Sequence, residues 1–219
     1  MNSEIPDPPR DYLYSTAWWI VQGFCRAYFR LEAHGVENVP RTGPVVIASN
    51  HLSFLDPPLI GCVIPRIVNF LARHTLFEIP ILGRVIRRFH AVAVDRESGA
   101  SGLRILLDKL ASGGCIILFP EGTRSEDGHL LPAKPGIGMT VLKSTAPVVP
   151  VRVLGTREAL GRGQWFPRPK KVVILFGAVE SFAAERAEAE RCSKPRLKVL
   201  YQEVADRLMA QVGALNAAP

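Results

Sequence analysis

The chain has 219 residues, 47% of them hydrophobic, which is enough for one well-buried α/β core, and it contains no run of about eighteen apolar residues that could span a membrane. A net charge of +7 points to an anionic partner, and without a recognised binding module nucleic acid is a poor candidate for it. Cys25, Cys62, Cys115 and Cys192 are far apart, with no Cys-x-x-Cys and no zinc spacing. They suit a reducing, cytosolic setting, and no metal or organic cofactor is expected.

In chain order, the first residues are polar and Pro-rich and do not read as a signal peptide. Asp11 to Leu31 carries Tyr12, Tyr14, Trp18, Trp19, Phe24, Tyr28 and Phe29 among scattered polar residues. Residues 1–31 therefore read as an amphipathic, aromatic-rich helix, either lying at a membrane interface or packed on the domain. Pro44 to Ser49 reads as a buried strand, with further strands expected near 67–72, 91–95, 115–119, 148–154 and 172–177. Helical stretches fall between them, such as Gly99 to Ala111 and Gly136 to Ser144. This alternation predicts a single α/β domain over residues 32–182, its sheet largely parallel or mixed and flanked by helices. Residues 183–219 read as surface helices interrupted near Ser193-Lys194-Pro195.

Two polar clusters follow strand ends, where the active sites of open α/β sheets gather. The first is Asn50-His51-Leu52-Ser53-Phe54-Leu55-Asp56-Pro57. His51 is a candidate general base and Asp56 a carboxylate able to orient it, with Ser53 expected to cap a helix starting near Asp56. Spacing alone carries little weight, because His90 and Asp95 have the same separation. That pair lies along one expected strand, where five residues span roughly 17 Å and the two side chains cannot meet. The second cluster is Pro120-Glu121-Gly122-Thr123-Arg124-Ser125. Gly122 allows close backbone approach, Thr123 offers a hydroxyl, and Arg124 offers a planar fork suited to phosphate.

With these residues in place the chain resembles the glycerolphosphate acyltransferases of the 1-acylglycerol-3-phosphate acyltransferase type. That family's Asn-His-x-Ser-x-x-Asp block appears at Asn50 to Asp56, and a strand closed by Asp-Arg at Ala91 to Arg96. Phe-Pro-Glu-Gly-Thr-Arg-Ser runs from Phe119 to Ser125, and an apolar strand around a proline is present at Val148 to Val151. The four blocks stand in family order, and the resemblance covers roughly residues 32 to 180, most of the chain. One departure is Arg73-His74-Thr75-Leu76, where many members carry Lys-x-Glu-Leu; Thr75 in place of the carboxylate leaves donor and acceptor open.

The resemblance implies acyl transfer from acyl-coenzyme A or acyl carrier protein to the hydroxyl of lysophosphatidate, giving phosphatidate for phospholipid synthesis. His51 and Asp56 would be catalytic, and Arg96, Arg124 and Lys134 would hold the acceptor's phosphate in a seat shaped by Gly122 and Thr123. Glu121 either hydrogen-bonds an acceptor hydroxyl or braces the turn. A lipid acceptor favours the interfacial role for the N-terminal segment, and hence a peripheral or monotopic protein on the cytoplasmic face of a membrane. Glycerol-3-phosphate, another lysophospholipid or a lipid alcohol are alternative acceptors, and a non-catalytic lipid-binding protein is the rival of a different class. Arg66, Arg73, Arg84, Arg87 and Arg88 crowd one stretch that could meet anionic lipid or an acidic donor, or stand solvated.

Overall fold

The computed structural model describes residues 12–88, 90–94 and 99–216. Arg96 and Asp95, singled out above, lie outside them, as does the Pro-rich start of the chain.

Seven strands form one sheet in the order β1-β7-β6-β2-β5-β3-β4. They are β1 (Glu32–His34), β2 (Val45–Ser49), β3 (Val68–Arg73), β4 (Ala91–Val94), β5 (Cys115–Leu118), β6 (Val148–Leu154) and β7 (Val173–Phe176). Every neighbouring pair is parallel except β6 with β7, so the sheet is mixed and largely parallel, as the alternation of strands and helices predicts. The central strands are largely apolar because both of their faces are covered. Val45 and Ile47 point to one layer while Val46 and Ala48 point to the other, the two-residue period of a strand at work.

The first layer packs α1 (Tyr12–Tyr28) and α2 (Asp56–Val63) on the sheet through Cys25, Phe29, Leu59, Ile60 and Val63. Opposite it lie α5 (Gly99–Ala111), α6 (Pro135–Leu142) and α9 (Lys194–Ala214). Short helices α3 (His74–Glu78), α4 (Pro80–Arg88), α7 (Thr156–Leu160) and α8 (Ala183–Ala189) complete the described elements.

Two expectations are revised. The C-terminal segment breaks between α8 and α9 near the predicted point, and α9, a surface helix on its outer side, also buries its inner face. Its Leu200, Tyr201, Val204, Ala205, Leu208, Met209 and Val212 are buried, because this helix roofs the sheet beside α6. Arg66 is not part of an anion-binding patch. Its guanidinium donates to the carbonyls of Pro40, Gly43 and Gly113 at 2.7–2.8 Å, stapling loops at the amino ends of β2 and β5.

Of α1, Gln22 and Cys25 turn toward the core, with the Gln22 amide donating to the Cys62 carbonyl. Ile20 and Phe24 face outward, 67% and 57% exposed. The helix is therefore packed on the domain and also presents an apolar outer face. No helix among the described residues is long and apolar enough to cross a membrane.

Candidate active site

Strands β2 and β5 run side by side with Ala48 opposite Leu118, so His51 and Glu121, each three residues further on, emerge together at the carboxyl edge. Asn50 makes the exit from β2 possible. Its side-chain amide donates to the Val153 carbonyl and accepts the Val153 N–H, at 3.0 and 2.8 Å, replacing a rung of the β2–β6 ladder. The backbone is then free to turn without leaving buried polar groups unpaired.

That turn is built around Asp56, which is fully buried at the first position of α2. Its Oδ2 accepts from the Leu52 N–H at 2.6 Å, the Ser53 N–H at 2.7 Å and the His51 Nδ1 at 2.8 Å. A carboxylate only accepts, so Nδ1 carries the proton and Nε2 keeps its lone pair. Ser53 does not take the expected capping role, because α2 has no side-chain cap; the Asp56 carboxylate gathers the N–H groups of the turn that precedes the helix. The Ser53 hydroxyl instead accepts the Leu55 N–H and donates to the Leu160 carbonyl at 2.6 Å.

His51 is held on every other side as well. Its N–H donates to Glu121 Oε1 at 3.2 Å and its carbonyl accepts the Ser125 N–H at 2.8 Å. Its ring stacks on Phe119, with centroids 3.9 Å apart. Burial pushes the Glu121 carboxyl up to about 7, against the pull of the His51 N–H. Glu121 is only 1% exposed and sits behind His51.

The cationic side of the site is also ordered. The Arg124 guanidinium lies 3.6 Å from the centroid of the Phe54 ring. Gly122 adopts φ +67°, and a Cβ there would meet Lys134 Cδ at 3.0 Å, so the Lys134 stem runs across this glycine. The Lys134 N–H donates to the Pro120 carbonyl, and Thr123 is exposed in the same loop. Strand β4, which leads to Arg96, ends on the same edge of the sheet through its parallel pairing with β3. Sequence reasoning missed Asn50, Phe54 and Phe119 as site residues, although all three stand inside the quoted blocks. Among the described residues, no group of three or more His, Cys, Asp or Glu side chains could hold a metal ion.

Residues 30–154 match the family model described as Acyltransferase. The chain belongs to this acyltransferase family. A 1-acyl-sn-glycerol-3-phosphate acyltransferase from Chlamydomonas reinhardtii is 34% identical over 153 residues, 68% of this chain and 46% of that protein. A chloroplastic one from Brassica napus is 31% identical over 140 residues, covering 62% and 40%. This acyltransferase-family chain thus spans about half the length of the curated relatives it matches. Among solved structures, the 1-acyl-sn-glycerophosphate acyltransferase PlsC from Thermotoga maritima aligns with a TM-score of 0.69 and 27% identity. That alignment covers 95% of this chain and 86% of PlsC.

Proposed function

We propose that the protein transfers a fatty acyl group from a thioester, acyl-coenzyme A or acyl carrier protein, to the free hydroxyl of lysophosphatidate, giving phosphatidate. The observation that carries this reading is the His51–Asp56 contact of 2.8 Å with a fully buried carboxylate, inside an acyltransferase-family domain. His51 Nε2 takes the hydroxyl proton as the acceptor oxygen attacks the thioester carbonyl, and Asp56 stabilises the imidazolium that forms. Collapse of the tetrahedral intermediate expels the thiolate, which recovers that proton, so the enzyme is never acylated. Arg124 and Lys134 hold the acceptor's phosphate over Gly122 and Thr123, a role the resemblance also gives to Arg96. Glu121 Oε1 accepts the His51 N–H, which favours bracing of His51 over contact with an acceptor hydroxyl. No cofactor takes part.

A lipid acceptor must be met at a bilayer, and the outer face of α1 supports peripheral or monotopic attachment at a cytoplasmic face. Ile20 and Phe24 are exposed on the helix whose opposite side packs on the core.

The deciding assay offers both thioester donors to purified protein with lysophosphatidate in detergent, alongside His51→Ala. Phosphatidate is expected from the parent protein, and loss of the base should cut the rate about 10²–10⁴-fold. Equal rates from the two proteins would remove His51 from the chemistry. A lipid-binding protein without turnover would form no product from any lysophospholipid, glycerol-3-phosphate or lipid-alcohol acceptor.

A further inference from the structure

The most exposed large apolar side chains outside the site belong to a loop that the chemistry does not use. Between α7 and β7 runs Gly161-Arg162-Gly163-Gln164-Trp165-Phe166-Pro167-Arg168-Pro169-Lys170-Lys171, with four cations and no carboxylate. Trp165 and Phe166 are 89% and 83% exposed, side by side at its tip. Two adjacent aromatics left this bare are costly in water unless something else covers them.

The loop is also anchored. Its base is closed by the Arg168 N–H donating to the Ala159 carbonyl at 2.7 Å. Within it the Gln164 side chain accepts the Gly161 N–H at 3.1 Å. Tyr28, at the end of α1, donates its hydroxyl to the Pro167 carbonyl at 2.8 Å, joining the loop to the helix that bears Ile20 and Phe24. Ser53 reaches the Leu160 carbonyl at 2.6 Å, joining it to the turn that carries His51.

The charges are divided. Arg162 pairs with Glu126, and Lys171 with Glu32 at 2.8 Å. Arg168 and Lys170 are exposed and have no carboxylate partner among the described residues. An aromatic pair flanked by uncommitted cations fits the headgroup boundary of an anionic bilayer, where indole and phenyl rings settle among acyl chains and cations meet phosphates.

We propose that the 161–171 loop is a second membrane anchor, inserting Trp165 and Phe166 into an anionic phospholipid surface while Arg168 and Lys170 select its charge. It adds to the apolar outer face of α1, to which Tyr28 ties it, and it does not rest on the acyl-transfer reading.

The test is binding of the full chain to vesicles of phosphatidylcholine, alone or mixed with phosphatidylglycerol, by cosedimentation. Trp165→Ser/Phe166→Ser should weaken binding to the mixed vesicles by about tenfold or more while leaving circular dichroism and the thermal transition unchanged. Arg168→Gln/Lys170→Gln should erase much of the preference for phosphatidylglycerol, about fivefold per cation. In a Trp18→Phe/Trp19→Phe background, Trp165 emission should shift to the blue on adding mixed vesicles and be quenched by brominated lipid.

Unchanged partition of both loop variants, or Trp165 emission that neither shifts nor quenches, would overturn the proposal and leave the tip to a protein partner. Turnover of detergent-dispersed lysophosphatidate is read separately and should be unaffected in the loop variants. A failed anchor therefore cannot be mistaken for a failed enzyme.

Discussion

One oxygen of Asp56 collects three N–H donors, two from the turn and one from the His51 ring. Asp56→Asn retains the shape but removes the charge that stabilises the imidazolium, and its amide no longer enforces the Nδ1–H tautomer. We expect kcat/KM to fall by about 10³–10⁴ with a smaller effect on folding, measured by steady-state acyl transfer and a thermal melt. Glu121 behaves differently because its burial leaves a titration signature. Its carboxyl rises from an ordinary 4.5 to about 7 in the folded protein, so the unfolded chain releases that proton first. The contribution of this group is complete below about 4.5, declines as pH rises, and levels off above about 7, a span worth about 3 kcal/mol. Glu121→Gln, neutral throughout, should abolish that decline in the unfolding free energy measured on either side of the window. An unchanged slope would mean that Glu121 is ionised in the fold. The Phe-Pro-Glu-Gly-Thr-Arg-Ser block marks Glu121 as important, but its role comes from the backbone N–H of a residue 70 positions away.

Among the elements, β2, α5 and β6 fall where periodicity and flanking Gly or Pro put them, because each is a long enough run to average out its neighbours. The three-residue β1 and the five-residue α3 and α7 escaped, being too short to show a period. The contact of α6 with α9 was equally hidden. Gly138 lies where a Cβ would come within 1.9 Å of the Tyr201 carbonyl, so the two helices meet backbone to backbone. Gly138→Ala should destabilise by about 1–3 kcal/mol, with Tm lowered by about 2–4 °C for each. Gly136→Ala is the control, since nothing lies within 4 Å of its added Cβ and Tm should hold or rise.

For the whole molecule, the decisive feature is that a helix from the end of the chain completes the core over strands from its beginning. Buried Val204, Ala205 and Leu208 share one cluster with Val46, Ala48 and Ile116. Arg152 also spends its guanidinium on the Val212 and Gly213 carbonyls at the end of α9. Removing residues 194–219 should therefore expose one face of the sheet and abolish cooperative unfolding, read by denaturant titration followed by circular dichroism. Retention of a sharp transition would mean that α9 is dispensable.

By itself the sequence determined the alternation of strands and helices, the two polar clusters at strand ends and the pairing of His51 with Asp56. These signals are local: a two-residue period, a Gly or Pro punctuating a run, a histidine a few residues from an aspartate. The tertiary structure decided that Asp56 rather than Ser53 organises the turn, that Glu121 stands behind His51, and that Arg66 is a staple. It decided too that one face of α9 is buried against the sheet and that Trp165 and Phe166 are exposed. Burial and hydrogen-bond saturation depend on which distant backbone groups arrive beside a side chain. That is settled by strand order and register, which no window along the chain contains.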